Sequence, residues 1–246
     1  MMMPIRLTPA VKWLLGLNLA AFIIQQTADR FFGIGLLEIF ALIPHHFVMD
    51  AWLWQIVTYS FLHGDVVHLF LNLLMLAFIG GDLEGAWGTK QFLRFYAFCT
   101  IIAGCAYLII QILSRDGLMM PMVGASGGIY GLLMAYGLIY SERTLLFMLL
   151  FPLKAKYFVW ILVAVEFMTS LYSPHGGLSS VAHLGGMGAG FVYLFAGAYF
   201  RLRRKRAGNV AGKKKAKKSH LKLVRSDSYL FDKEQSEDSE DPKTWH

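Results

Sequence analysis

The chain has 246 residues, of which 56% are hydrophobic and only 16% charged, where a soluble domain of this size carries roughly 25% charged residues. Several apolar runs approach or exceed the ~20 residues that cross a bilayer, which excludes an ordinary soluble globule and makes this a polytopic membrane protein. The formal net charge of +7 belongs to one end: residues 1–200 hold nine basic and nine acidic side chains, so the body of the chain is neutral.

Six spans are predicted, over residues 11–28, 66–84, 91–113, 126–140, 157–172 and 180–200. The first is long for the apolar core of a signal peptide, lacks a small-x-small cleavage site and is followed by further spans, so it reads as a retained helix. Residues 29–65 hold Phe31, Phe32, Leu36, Leu37, Ile39, Phe40, Trp52 and Trp54, too apolar a set for a free loop. The stretch is expected to lie in the interface or to pack on the bundle. Gly85 and Gly88, near the end of span 2, read as turn residues. Cys99 and Cys105 fall six apart on one predicted helix, facing different sides, and are not expected to pair; no zinc-ligand spacing occurs.

Residues 201–225 carry twelve Lys and Arg and no acid, and 226–246 carry seven acids against Lys233 and Lys243. This reads as a cytoplasmic stop signal followed by a disordered tail, which divides the chain into a membrane domain, 1–205, and a charged tail, 206–246. The basic run lacks interleaved aromatics, so its expected partners are anionic lipid headgroups and not nucleic acid.

Orientation follows from the basic residues. Arg6 and Lys12 flank span 1, Lys90 and Arg94 follow span 2, Arg143, Lys154 and Lys156 follow span 4, and the basic run follows span 6; the opposite side has Arg30 and Arg115. The positive-inside rule then puts both termini in the cytoplasm. Span 4 is the anomaly. Its 15 residues make a helix of roughly 22 Å against a hydrocarbon layer of about 30 Å. If it ends near Ser141-Glu142-Arg143, its start lies below the outer surface. The preceding Pro121–Gly124 segment must then dip inward. Irregular backbone at that depth is tolerated only where it is buried in protein or lines a watery cavity.

With that topology, spans 2, 4 and 6 run in the same direction, and His68, Ser126 and His183 open them at similar depth. Polar groups at membrane depth are costly and mark function. His68 and Asn72, four apart, share a helix face, as do Ser126 and Tyr130. His183, Gly186 and Gly190 form one stripe on span 6, and Gly127, Gly131 and Ala135 another on span 4; small residues at this spacing let membrane helices approach closely. Such packing allows Ser126 to hydrogen-bond His183. Serine is a poor nucleophile until a base takes its proton, and histidine has the pKa for that task. The Ser126 N–H at a helix N-terminus, with His68 and Asn72, supplies oxyanion donors, and Gly124 gives the turn before the serine its backbone freedom.

Three motifs, His68-Leu-Phe-Leu-Asn72, Gly124-Ala-Ser126-Gly127 and Ala182-His183-Leu-Gly-Gly186 with Gly190 following, resemble those of the rhomboid family of intramembrane serine proteases. His63, five before His68, fits the same pattern. The resemblance covers roughly residues 50–200. It implies an all-α polytopic membrane protein, a six-transmembrane-helix rhomboid-like bundle with a short central helix 4. It further implies an endopeptidase that cuts transmembrane protein substrates near the extracytoplasmic face. In that scheme Ser126 and His183 form a catalytic dyad without an acid, His68 and Asn72 stabilise the oxyanion, and Tyr130 stacks on His183. His63 orients its loop or holds water. No cofactor or metal is implied, and a bacterial inner (plasma) membrane is the expected location. One departure is visible: many rhomboids carry Trp-Arg in the first external loop, and the corresponding pair here is Trp54-Gln55.

Rival readings are weaker. Gly124-Ala-Ser126-Gly-Gly128 satisfies the G-x-S-x-G pattern of esterases, but that motif needs a strand before the serine and an α/β sheet, and no strand–helix alternation is present. No H-E-x-x-H helix supports a metalloprotease. A non-enzymatic rhomboid-like binding protein would be expected to lack the serine or the histidine. Glu166 follows Ser126 and precedes His183 in hydrolase order, as a third triad member would, and on the outer half of span 5 its carboxylate could reach toward the pocket; a structural, hydrogen-bonded role is the favoured reading over assistance to the dyad. His175-Gly176-Gly177 reads as a turn.

Overall fold

The computed structural model describes residues 6–114, 117–147, 151–173 and 177–219. In chain order the helices are α1 (Pro9–Thr27), α2 (Leu36–Phe40), α3 (Pro44–Met49), α4 (Gln55–Thr58), α5 (Val66–Trp87), α6 (Thr89–Ser114), α7 (Ser126–Ile139), α8 (Ala155–Tyr172) and α9 (Gly177–Ser219). The chain divides into two units, Met1–Tyr199 and Phe200–His246. Among the described residues four helical stretches are long and apolar enough to cross a membrane: Val66–Trp87, Thr89–Ser114, Ala155–Tyr172 and Ser179–Arg204. Their outward faces carry large apolar side chains such as Phe70, Ile109, Trp160, Leu171 and Phe195, the surface that lipid-facing helices require. The fold is that of an α-helical, multi-pass membrane protein.

The start of α1 is closed by one buried side chain. Pro9 occupies its first turn, where a missing N–H costs nothing. The next donors, the Ala10 and Val11 N–H groups, bond the Glu84 carboxylate at 3.0 and 3.1 Å. The same carboxylate accepts from the Thr8 and Thr89 hydroxyls. Glu84 lies in the last turn of α5, so the start of α1, the end of α5 and the start of α6 meet on one anion. Gly88, at φ +77°, makes the turn between α5 and α6. Gly85, expected in that turn, lies inside α5, which runs on to Trp87 and is capped at Gly88, whose N–H donates to the Glu84 carbonyl at 2.7 Å.

Residues 29–65 pack on the bundle. A π-helical turn, Ala28–Phe32, prolongs α1 and stops at Gly33 in the left-handed region. Leu42 and Met122 exchange backbone hydrogen bonds of 3.0 Å in both directions, and the buried Tyr59 hydroxyl donates to the Thr100 carbonyl of α6 at 2.7 Å. Gln55, of the Trp54-Gln55 pair, is fully buried. Its Oε1 accepts from the Ile43 N–H at 3.1 Å, and its Nε2 donates to the Glu38 and Ile39 carbonyls at 3.3 Å. A neutral amide thus pins the loop. Gln55→Leu strands these buried groups, at a cost of about 1–3 kcal/mol. A lowered thermal midpoint in detergent micelles is the expected outcome, and an unchanged one would contradict the anchoring role.

Between α7 and α8 lies a feature absent from the expected all-α design. β1 (Thr144–Phe147) and β2 (Phe151–Lys154) form an antiparallel hairpin with Leu145 opposite Leu153. The end of α7 is tied to α5 just before it: Asp82 accepts from Arg143 at 2.6 Å and from the Tyr136 hydroxyl at 3.0 Å. The Arg143 guanidinium lies 3.9 Å over the Tyr140 ring. Lys154 and Lys156 clasp Glu142 and hold its carboxyl down at about 2.

In α9 the helix continues to Ser219, past the expected end of span 6 at residue 200 and into the stretch expected to be disordered. The reason is composition: Ala, Lys and Arg dominate residues 201–219 and are among the best helix formers. The acidic remainder of the tail, from residue 220, lies outside the described residues, as do His175 and Gly176 of the expected turn.

Candidate active site

α7 is the innermost helix. Its 14 residues are buried almost throughout, from Ser126 to Gly137, and it packs on α5, α6 and α8. Its entry is fixed by the preceding loop: the Leu42–Met122 pairing anchors one side, and the Gly124 N–H donates to the Tyr59 carbonyl at 3.0 Å. Gly124 has φ +116°, a conformation open in practice to glycine alone, and a Cβ there would lie 2.8 Å from Cε1 and Nε2 of His68. The His68 ring therefore lies directly against the turn that presents Ser126. The N–H groups of the first turn of α7, unpaired within the helix by construction, open beside the same residue.

The predicted close packing of glycine stripes is present. A Cβ on Gly186 would collide with the Gly127 carbonyl, and one on Gly190 would lie 2.7 Å from the Gly131 carbonyl. Backbone thus meets backbone between α7 and α9. The result is a hydrogen bond of 2.8 Å between Ser126 Oγ and His183 Nε2. The Tyr130 ring stacks on His183 with centroids 4.1 Å apart and planes 6° from parallel. On the far side of the imidazole, His183 Nδ1 lies 3.0 Å from Glu166 Oε1, and the Tyr130 hydroxyl donates to that same oxygen at 2.5 Å. Glu166 is hydrogen-bonded, as expected of a structural residue, but its partners include the site residues His183 and Tyr130.

His68 and Asn72 are less directly joined to this group. The His68 N–H donates to the Asp65 carboxylate at 2.8 Å, an N-cap that sets the start of α5. The Asn72 amide donates to the His68 carbonyl at 3.1 Å, back along its own helix. His63 is fully buried, edge-on to His68 with ring centroids 5.1 Å apart. Its backbone is gripped by Gln25 of α1, which donates to the His63 carbonyl at 2.9 Å and accepts from its N–H at 3.2 Å. Gln25, Tyr59 and Asp65 were not singled out from the sequence. Asp65 carried a readable signal, an acidic residue just before an apolar helical run; the other two are single polar residues with distant partners.

Burial, and after it the neighbouring His68, pulls the His63 imidazole down to about 4 from its usual 6.5. The unfolded chain then binds the extra proton first, so this contribution to stability is complete above about pH 6.5 and is lost as pH falls toward 4. Stability in micelles is expected to decline across that window by up to ~3 kcal/mol, and His63→Gln to flatten the decline. An unaltered pH profile in the variant would refute the assignment.

Comparison with known proteins agrees with this architecture. The rhomboid domain model matches residues 50–200. The chain is similar to human Rhomboid-related protein 3, 28% identical over 189 residues that cover 72% of this chain and 43% of the relative. It is also similar to the mitochondrial Rhomboid protein 1 of Saccharomyces cerevisiae, 27% identical over 183 residues covering 73% and 51%, and to RHOMBOID-like protein 1 of Arabidopsis thaliana, 29% identical over 177 residues covering 70% and 43%. The chain thus spans about half the length of the curated relatives it matches. These relatives are eukaryotic and lend nothing to the expectation of a bacterial membrane. The matched region begins just ahead of the buried Gln55 anchor and ends within α9 beyond His183, taking in His68, Asn72, Ser126, Tyr130, Glu166 and His183, and on that extent the chain belongs to the rhomboid family.

Proposed function

We propose that the chain is an intramembrane serine endopeptidase that cleaves transmembrane protein substrates, with Ser126 as nucleophile and His183 as base. The observation that carries this reading is the 2.8 Å contact between Ser126 Oγ and His183 Nε2, made between two helices that meet through glycine. In the reaction, His183 Nε2 takes the Ser126 proton as Oγ attacks the scissile carbonyl carbon. The tetrahedral oxyanion is held by the Ser126 N–H and by His68 and Asn72. Asn72 must exchange its bond to the His68 carbonyl, or use its second amide hydrogen, to take part. As the intermediate collapses, the C–N bond breaks and the imidazolium returns its proton to the leaving amine. Water, deprotonated by the same imidazole, then hydrolyses the acyl-serine ester. Gly124, Gly127, Gly186 and Gly190 shape the site, and Tyr130 holds the imidazole plane.

In this proposal six helices span the bilayer, with α1 and the short α7 added to the four that are both long and apolar enough. Both termini are cytoplasmic by the positive-inside rule, and the cut falls near the extracytoplasmic face. Residues 1–205 form the membrane domain, and the basic residues that follow meet anionic lipid headgroups. A substrate helix must unwind locally to present a carbonyl, so cleavage is expected beside small or helix-breaking residues. The test is cleavage of a fluorogenic transmembrane peptide by the purified full chain in liposomes, beside Ser126→Ala. Wild-type activity lost in the variant supports the proposal. Equal cleavage by both proteins sinks it, and a wild-type chain that binds but never cuts favours a binding protein.

A further inference from the structure

Glu166 is a carboxylate in the middle of an apolar helix. It lies on the face of α8 that buries Ala155, Phe158 and Val159, and it is 8% exposed. An ionisable group at such a position is costly unless it is partnered. Two other carboxylates held within the bundle are satisfied away from the reacting pair: Asp82 by Arg143, and Glu84 by the N–H groups and hydroxyls where α1, α5 and α6 meet. Glu166 is different: its ion-pair partner among the described residues is His183, and its hydrogen-bond donors are His183, Tyr130 and Ser180. All three lie on α7 and α9, the helices that carry the reacting pair.

The geometry gives that arrangement a direction. With Nδ1 protonated, His183 donates to Glu166 and must present the lone pair of Nε2 to Ser126. The carboxylate therefore selects the tautomer that can act as base. While His183 is neutral, Glu166 faces no full positive charge. When Nε2 takes the Ser126 proton, an imidazolium forms 3.0 Å from a carboxylate in a site of low dielectric. That attraction is greater in the transition state than in the ground state, which is the condition for lowering a barrier. Tyr130 braces both partners, stacking on the ring and donating to the same Oε1. We infer that Glu166 is a positioning residue that orients and electrostatically supports His183, so that Ser126, His183 and Glu166 work as a three-membered unit assembled from α7, α9 and α8.

The inference rests on the serine protease reading, and the experiment separates the two. The full chain in liposomes is assayed on a fluorogenic transmembrane peptide for kcat and KM, on a fluorophosphonate for the rate of Ser126 labelling, and for its thermal midpoint. The variants are Ser126→Ala, Glu166→Gln, Glu166→Asp and Tyr130→Phe. Glutamine keeps the size of the side chain and an acceptor for Nδ1–H but removes the charge. Glu166→Gln is expected to lower kcat and labelling rate together by roughly 10²–10⁴-fold, with KM within about threefold and the midpoint nearly unchanged. Glu166→Asp restores part of kcat, and Tyr130→Phe loses less than Glu166→Gln. If Glu166→Gln does not fold, partial kcat in Glu166→Asp at a wild-type midpoint supports the role, and full kcat in Tyr130→Phe with no kcat change in Glu166→Asp overturns it. Wild-type kcat in Glu166→Gln beside an inactive Ser126→Ala overturns the role of Glu166 alone, and so does a midpoint that falls in step with activity. Cleavage retained in Ser126→Ala overturns the protease reading and this inference with it.

Discussion

His183→Ala is expected to lower kcat by about 10⁴-fold or more, as loss of the base does in serine hydrolases generally. The size follows from how many functions meet on one ring. In the proposed reaction His183 takes the Ser126 proton, returns it to the leaving amine and activates the hydrolytic water, so its removal would disable acylation and deacylation alike. KM is expected to stay within a few-fold, because the ring contributes to the reacting geometry and not to the bulk of substrate contact. The variant is also expected to melt earlier than wild type. Tyr130 loses the ring it stacks on at 4.1 Å, and Glu166 loses its Nδ1 partner, leaving a buried carboxylate less well satisfied. Steady-state cleavage together with a thermal melt checks both statements. Appreciable kcat in a folded His183→Ala protein would remove histidine from the role of base.

Gly186→Val is expected to lower the cleavage rate by about 10²-fold or more without touching any group that reacts. A side chain at this position runs into the Gly127 carbonyl, so α9 must retreat from α7. Overpacking of this kind costs about 1–3 kcal/mol or more, but the functional loss exceeds the loss of stability. Gly127 is the next residue after Ser126, and Gly186 lies one turn beyond His183. A displacement of about 1 Å between the two helices opens the 2.8 Å bond directly, and misplacement on that scale costs on the order of 10²-fold in rate. Gly188 offers the matched control: a Cβ there meets nothing within 4 Å, so Gly188→Ala is expected to cleave as wild type does. Equal activity in Gly186→Val and Gly188→Ala would show that the α7–α9 contact does not set the site.

Most of the bundle could be read in advance because its signals are local. Apolar runs marked α5, α6 and α8 to within three residues at either end, and the glycine stripes marked the α7–α9 approach. The paired strands at 144–147 and 151–154 were hidden in the run Leu145–Leu153, where continuous apolarity shows neither a strand's alternation nor a helix's stripe. Glu166 was visible as a charge in a span, but its partner depends on the rotation of α8 about its axis, which no spacing within α8 specifies. Gln25 and Gln55 looked like minor polar interruptions. Their importance comes from contacts with the His63 backbone, 38 positions away, and with the carbonyls of Glu38 and Ile39.

The knot at Glu84 has a consequence for biogenesis. The chain is made from its N-terminal end, so α1 is complete well before the residue that accepts its first two N–H groups has been synthesised. Those donors, and the Thr8 hydroxyl beside them, must remain solvated until the turn at Gly88 has formed and Thr89 has joined the same carboxylate. α1 therefore reaches its final seat only after α5 and the start of α6 are in place. Its docking is a late assembly event. Glu84→Gln should leave insertion of the later helices intact while exposing α1 to limited proteolysis.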